Sequence, residues 1–102
     1  MYDHIQTVES NANTILDIIS NNPNITIKEL QNQLEKTPTF PNLTRSMIRQ
    51  YVNALHKAGH IQKKGIHILT YKLLKTTPFK YTPIAWNAVN RNRKEHTYDT
   101  TH

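Results

Sequence analysis

Several residue types are scarce in this chain, and each scarcity excludes a class of protein. The 102 residues include no cysteine, so neither a disulfide nor a thiolate metal site can hold the fold. Only two glycines are present, which leaves no glycine-rich loop to cradle a phosphate. No apolar run approaches the ~20 residues that cross a bilayer, and the N-terminus lacks the segments of a secretory signal. We therefore expect one small cytoplasmic module that is stabilised by packing alone.

Acidic residues are also scarce, and they are unevenly placed. Residues 1–43 carry two lysines against five carboxylates, which gives −3, whereas residues 44–102 carry eleven Lys and Arg against two carboxylates, which gives +9. From Thr44 to Lys94 there is no acidic residue at all. A solvated helical face usually gains from carboxylates placed four residues from cations, so their absence favours a surface that binds a polyanion. A simple solubility bias remains open as the other interpretation of the charge.

Apolar periodicity predicts two helices in the N-terminal half. The first has Asp3 as its N-cap and ends near Ser20, because Pro23 cannot continue the helical hydrogen-bond ladder. Its apolar stripe recurs at steps of three and four and comprises Ile5, Val8, Ala12, Ile15 and Ile19, widened by Leu16. The second begins at the capping box formed by Thr26 and Glu29 and carries Ile27, Leu30 and Leu34 on one face.

A third helix is predicted after Thr44, which offers an N-cap. At about 100° per residue, its apolar side chains occupy an arc of roughly 140°, formed by Met47, Ile48, Tyr51, Val52, Leu55 and Ala58. A separate arc of roughly 100° carries only donors, acceptors and positive charge, from Ser46, Arg49, Gln50, Asn53 and Lys57. Gly59 is placed to close the helix in a left-handed conformation. The polar arc is either an ordinary solvated face or a binding surface.

Beyond Gly59 the apolar period changes from 3.6 to 2, which predicts a hairpin that turns at Lys64 and Gly65. The inward positions are Ile61 on the first strand and Leu69, Tyr71 and Leu73 on the second. Lys63, Lys64 and His67 then lie near the tip, where no core contact requires them. So small a hairpin must pack on the helices to be stable.

The segments "ITIKELQNQL" and "TRSMIRQYVNALHKAGHIQKKG", followed by "LTYKL", resemble the winged helix-turn-helix family of small bacterial and phage transcriptional regulators. The match covers roughly residues 5–75, with a longer connection before the third helix and a shorter wing than that pattern has. The resemblance implies a mainly α fold with a small β-hairpin, in which a three-helix core and wing span residues 1–76. Residues 77–102 would form an extension with one short helix and a basic, partly disordered tail.

The resemblance further implies that the third helix enters the major groove of double-stranded DNA while the hairpin touches the backbone. Gln50 and Asn53 have the donor and acceptor pair that grips adenine, and Arg49 can grip guanine. Ser46 joins them as a base-reading residue, although its place in the first turn also suits a phosphate. The expected phosphate contacts are Arg45, Lys57, Lys63, Lys64 and His67.

The histidines and the C-terminal segment give weaker indications of function than the third helix does. His56 and His60 are four apart, but Gly59 ends the helix between them and no carboxylate is near, so we expect no metal and no other cofactor. No spacing of Ser, His and Asp suggests a nucleophile with its base, so we expect no enzyme. Thr82 and Pro83 predict the start of a short helix, in which Trp86 either covers the core or contacts a second subunit. Arg91, Arg93 and Lys94 form a possible basic arm.

Two classes of function are consistent with these features. The first is a sequence-specific DNA-binding regulator, for example a nucleoid-associated repressor, acting as a homodimer because one short helix reads few bases. The second is a winged-helix module that binds an acidic protein partner, as a small inhibitor or adaptor. A replication or recombination accessory factor lies between the two.

Overall fold

The computed structural model describes residues 2–38 and 40–87, which form a mixed α/β fold with a small antiparallel sheet. The elements in chain order are α1 (Tyr2–Asn21), β1 (Ile25–Thr26), α2 (Ile27–Glu35), α3 (Arg45–Lys57), β2 (Ile61–Lys64), β3 (Thr70–Leu73) and α4 (Pro83–Trp86). The predicted helices and hairpin are therefore present. None of the described helices is long and apolar enough to span a membrane.

Helix α1 buries the predicted stripe against the other helices. Val8, Ala12, Ile15 and Ile19 are all at most 2% exposed, because their spacing of three and four keeps them on one face. Two details of the prediction are wrong. The helix already begins at Tyr2, so Asp3 lies within it and is not the N-cap. Ile5, at the open end of the stripe, is 37% exposed.

A short strand that the sequence pattern did not indicate precedes α2. Asn24 adopts a left-handed conformation with φ of 66°, and its N–H donates to the Tyr71 carbonyl at 2.9 Å, which starts the pairing of β1 with β3. Two residues are too few for an alternating pattern. The predicted capping box is confirmed, since the Glu29 N–H donates to the Thr26 hydroxyl at 3.2 Å and the Thr26 N–H donates to the Glu29 carboxylate at 3.0 Å.

Helix α3 is fixed at both ends. Thr44 is the N-cap, accepting from the Met47 N–H at 3.2 Å. At the other end the His60 N–H donates to the Leu55 carbonyl at 2.9 Å, and the Gly59 N–H donates to the His56 carbonyl at 3.0 Å. These two bonds form a Schellman motif, in which Gly59 adopts a left-handed conformation with φ of 84°. Ile48, Tyr51, Val52 and Leu55 of the apolar arc are buried as predicted, and Ala58 is partly buried. Met47 is 43% exposed because it lies in the first turn, at the edge of the core.

The sheet has the order β1–β3–β2, with all neighbours antiparallel. Its hairpin pairs Ile61 with Leu73 and Lys64 with Thr70, so the connection runs over residues 65–69 and is wider than the predicted turn. We refer to residues 65–69 as the wing loop. Tyr71 faces the core and is 5% exposed, whereas Leu69 is 37% exposed because it belongs to the wing loop rather than to β3.

Residues beyond the hairpin complete the same core instead of forming a separate layer. Phe79 is 1% exposed, and the side-chain amide of Asn13 on α1 pairs with its backbone, accepting from Phe79 N–H at 2.7 Å and donating to the Phe79 carbonyl at 3.3 Å. Thr82 caps α4 as predicted. The sequence pattern predicts that Ile84, Ala85, Ala88 and Val89 share one side of this helix; Ala85 is buried, whereas Ile84 is 60% exposed. Ala88 and Val89 lie outside the described residues.

Trp86 covers the core of its own chain. Its ring meets Tyr51 edge to face, with centroids 4.8 Å apart, and lies 6.4 Å from Tyr81. Tyr51 is itself held by Asn11, whose amide donates to the hydroxyl at 3.0 Å. Aromatic pairs in this geometry contribute about 0.5–1.5 kcal/mol beyond the area they bury. The C-terminal segment is therefore anchored on both α1 and α3.

Candidate nucleic-acid interface

The outer face of α3 presents the predicted polar residues, but it does not present them equally. Ser46, Arg49 and Lys57 are exposed, while Gln50 and Asn53 are only partly exposed. The orientation of the face is fixed from beneath by Ile48, Val52 and Leu55, each at most 1% exposed. Because the helix is capped at both ends and packed along one side, its exposed side chains extend from a rigid base.

Arg49 lies at the centre of this face, where α3 meets the sheet. It lines a groove with Tyr71 of β3, and burial raises the pKa of Tyr71 while the positive charge of Arg49 opposes that rise. The fork of the guanidinium can hold two acceptors in one plane. Arg49 is thus an exposed side chain of α3 with the geometry for bidentate recognition, and no hydrogen bond to another described residue restrains it.

Gln50 is held by the C-terminal segment. Its side-chain nitrogen donates to the Trp86 carbonyl at 3.2 Å, at the end of α4. One of the two N–H donors of the Gln50 amide is therefore engaged, and the amide must turn away from Trp86 to grip adenine N6 and N7 together. The same contact places the end of α4 beside the polar face of α3.

Asn53 and Lys63 form a second internal contact. The Asn53 amide nitrogen donates to the Arg49 carbonyl at 2.8 Å, and its oxygen accepts from the ammonium of Lys63 on β2. Lys63 is half-buried, and this burial lowers its pKa. The expectation that Lys63 lies free at the hairpin tip is wrong, because its side chain is directed against α3. Both ends of the Asn53 amide have partners within the chain.

The remaining predicted phosphate contacts lie around this centre. Lys57, Lys64 and His67 are exposed. Arg45 is exposed as well, but its Nε donates to the side-chain oxygen of Gln31 on α2 at 2.6 Å, which restrains its position at the start of α3. The possible basic arm of Arg91, Arg93 and Lys94 lies outside the described residues.

The fold adds a cation that sequence reasoning missed. Lys28, in the first turn of α2, lines the same groove as Arg49 and the wing loop. No local signal marks it, because Lys28 is 21 positions from Arg49 and only the pairing of β1 with β3 brings α2 to the wing. Residues 44–87 include no carboxylate, so this side of the molecule has no internal counter-charge from that stretch. The electrostatic field there attracts anions.

The two central histidines differ in environment. His60 is buried against Phe79, and its Nδ1 has no hydrogen-bond partner within the described part of the chain. Burial and, to a lesser extent, the charge of Lys75 lower the pKa of His60; burial and Lys63 do the same for His56. Across residues 2–38 and 40–87, no three His, Asp or Glu side chains are placed together to hold a metal ion.

The chain matches no family model, no curated protein and no solved structure. Its function must therefore be inferred from the geometry and charge of the face built by α3, β2 and the wing loop.

Proposed function

We propose that this protein is a sequence-specific double-stranded DNA-binding protein of the winged helix-turn-helix type that regulates transcription. The order helix, strand, helix, helix, strand, strand, with β3 central in the sheet, supports this proposal. In such an arrangement α3 would lie in the major groove, and the hairpin of β2 and β3 would lie along the flanking backbone.

One observation carries the proposal: α3, the first turn of α2 and the wing loop converge on a groove whose lining includes cations and no carboxylate, with the exposed Glu29 carboxylate bonded to Thr26 beside it. Arg49, Lys28 and His67 line one groove there, and Lys57 and Lys64 are exposed on the adjoining elements. A protein surface that binds no polyanion is more stable with mixed charges, since like charges repel one another and opposite charges add modest stability. A phosphate backbone supplies the missing negative charge.

The roles within this surface follow from what each side chain is free to do. Arg49 is the primary base reader, with Ser46 one turn before it. Asn53 grips a base by exchanging its bonds to Lys63 and to the Arg49 carbonyl for bonds to DNA, and Gln50 does so by turning its amide away from the Trp86 carbonyl. Arg45, Lys57, Lys64 and His67 bind phosphates, and each phosphate neutralised changes the slope of log K against log salt by about −0.9.

A homodimer belongs to the same proposal. Helix α3 has 13 residues and contacts only a few base pairs, so two copies related by a two-fold axis double the sequence that is read. Since Trp86 packs within its own chain, we assign the dimer contact to α1, where Ile5 is 37% exposed near the start. Light scattering with and without bound DNA measures the mass directly.

The test is fluorescence anisotropy with a random duplex library at 50 and 200 mM salt, followed by sequencing of the selected fragments. We expect Arg49→Gln to change the selected sequence and Lys64→Gln to weaken all sequences alike, with the salt slope reduced by about 0.9. Lys36→Gln, at an exposed cation beyond α2 and away from this surface, is the matched control and should bind as wild type. Wild-type indifference to every duplex at 50 mM salt would remove the proposal.

A second candidate is a winged-helix module that binds an acidic protein. It is favoured by the apolar tip of the wing loop, where Ile66 is 90% exposed and Ile68 71% exposed. A protein interface would bury these side chains. In the same assay such a module binds duplexes weakly, without any preferred sequence, and Arg49→Gln then leaves selection unchanged.

A further inference from the structure

A groove separates the wing loop from the first turn of α2 and from Arg49 on α3. Its volume is about 380 Å³, and we call it the wing groove. Its lining includes Ile27, Lys28, Arg49, Ile68, Leu69 and Tyr71, and Thr26 and His67 complete it. It brings apolar side chains from two elements together with cations from two helices.

The apolar part of the wing groove has no cover within the described part of the chain. Ile68 is 71% exposed and Leu69 37% exposed. The wing loop that carries them is closed tightly, because Gly65 has φ of 113° and a Cβ added there would lie 2.2 Å from the Ile68 carbonyl oxygen. These apolar side chains are therefore held at the groove by the backbone conformation of the loop.

The polar part of the wing groove is rich in hydrogen-bond donors, and its side-chain acceptors belong to Thr26, His67 and the Tyr71 hydroxyl. In residues 2–38 and 40–87 the cationic side chains that donate hydrogen bonds are Arg45 and Lys63, and neither Lys28 nor Arg49 does so. The Tyr51 hydroxyl has a partner in Asn11, whereas the hydroxyl of Tyr71 has none within those same ranges. No carboxylate is among the lining residues; the Glu29 carboxylate beside them already accepts from the Thr26 hydroxyl at 3.1 Å and from the Thr26 N–H at 3.0 Å. An apolar floor beside unpaired donors is complementary to a ligand with one apolar and one anionic end.

We propose that the wing groove binds a small amphipathic organic anion, namely an aryl or short alkyl carboxylate or sulfonate. Its apolar part packs on Ile68 and Leu69, and its acid group accepts from Arg49 and Lys28. A volume of about 380 Å³ is near the lower end of the roughly 300–1,000 Å³ typical of ligand pockets, so one or two rings fit and a long lipid chain does not.

A regulatory consequence follows, and it rests on the proposed function. Arg49 is the primary base reader in that proposal and the anion ligand in this one, so a single guanidinium cannot serve both. Bound anion then weakens DNA binding, and by thermodynamic linkage DNA weakens anion binding by the same factor. The chain would thereby sense a small acid without a separate ligand domain.

The groove is tested first without DNA, by titration with anilinonaphthalene sulfonate, whose fluorescence rises in an apolar site. We expect saturation at one probe per chain, and tighter binding than for the neutral analogue N-phenylnaphthylamine. Arg49→Gln should weaken sulfonate binding about 10-fold or more, the effect expected from loss of a hydrogen bond between charged groups. Ile68→Ser should weaken both probes about equally, because it removes only apolar contact.

The matched controls are Lys72, on the same hairpin, and Leu74, the residue that follows the hairpin. Leu74→Ser removes an apolar side chain that is 58% exposed, and Lys72→Gln removes an exposed cation, but neither residue lines the wing groove. Both should bind the sulfonate as wild type does, with circular dichroism confirming that all variants are folded. Equal weakening by the controls, several probes per chain, or no preference for the sulfonate over the neutral analogue would overturn the proposal.

The regulatory consequence is tested by repeating the DNA anisotropy measurement with the groove saturated by the sulfonate. Weaker DNA binding and weaker sulfonate binding, by equal factors, support the shared use of Arg49. Unchanged DNA affinity refutes the coupling. Should the protein bind no duplex, the proposed function fails, while the titration without DNA still decides whether the groove binds the anion.

Discussion

Phe79→Ala tests whether the segment after the hairpin is part of the core. Phe79 is 1% exposed, and truncation of a buried Phe costs about 3–5 kcal/mol. Small domains are stable by only about 5–15 kcal/mol, so the variant loses a large part of the total. At about 4–8 °C per kcal/mol for a domain of this size, the midpoint of thermal unfolding falls by roughly 12–40 °C.

The assay is urea denaturation followed by far-ultraviolet circular dichroism and by the fluorescence of Trp86, the single tryptophan. Circular dichroism reports mainly the helices, whereas Trp86 reports the contact of α4 with Tyr51. If the segment belongs to the same cooperative core, the two transitions coincide in the wild type. Leu74→Ala, at a side chain 58% exposed, is the control and should stay within about 0.5 kcal/mol of wild type.

Two results would contradict this reasoning. One is a cost below about 1 kcal/mol for Phe79→Ala, which would mean that the site is not packed as the structure has it. The other is a Trp86 transition at lower urea than the circular dichroism transition, which would show that residues 77–87 detach separately. If Phe79→Ala does not fold, Phe79→Leu keeps much of the apolar volume and its smaller cost can be measured against the same control.

Three further perturbations test other parts of the structure. Burial lowers the pKa of His60 below its ordinary 6.5, so the unfolded chain binds more protons than the folded chain. The free energy of unfolding is therefore complete above about pH 6.5 and is lost as the pH falls through the lowered pKa. The slope is at most about 1.4 kcal/mol per pH unit. His60→Gln should reduce the fall in urea midpoint between about pH 7.5 and 5 without abolishing it, because the pKa of His56 is lowered as well; a fall as large as in wild type would contradict this reasoning. Gly65→Ala should lower the free energy of unfolding by about 1–3 kcal/mol and weaken the binding of anilinonaphthalene sulfonate, because the new Cβ would lie 2.2 Å from the Ile68 carbonyl oxygen. Unchanged sulfonate binding would show that the wing loop adapts. Thr44→Ala removes the cap of α3 and should cost about 0.5–2 kcal/mol in urea denaturation, while Thr44→Ser, which keeps the hydroxyl, should restore most of it.

Local signals predicted most of the secondary structure because their causes are local. The capping box of Thr26 and Glu29, the cap at Thr44 and the left-handed Gly59 each depend on residues within one or two turns. Strand β1 was not predictable in this way, since two residues become a strand only when β3 supplies their partners. The exposure of Met47 and Ile5 likewise depends on where the core ends, which periodicity alone does not define.

The candidate site likewise has features that follow from local helical geometry and others that depend on tertiary contacts. That Arg49 projects from the polar side of α3 follows from helical geometry, and its exposure agrees with it. That the amides of Gln50 and Asn53 are engaged by Trp86 and Lys63 could not be read from spacing, because those partners are 36 and 10 residues away. The place of Lys28 in the wing groove is a product of sheet pairing for the same reason.

By itself, the sequence determined the helices and the hairpin, the closure of α3 and the separation of charge between the two halves, since these depend on nearest neighbours and composition. Only the tertiary structure decided which polar side chains of α3 remain free, that Phe79 and Trp86 complete the core, and that cations from two helices meet apolar side chains of the wing. Those outcomes depend on packing between segments far apart in the chain, where a small change in the orientation of one element changes which groups can touch.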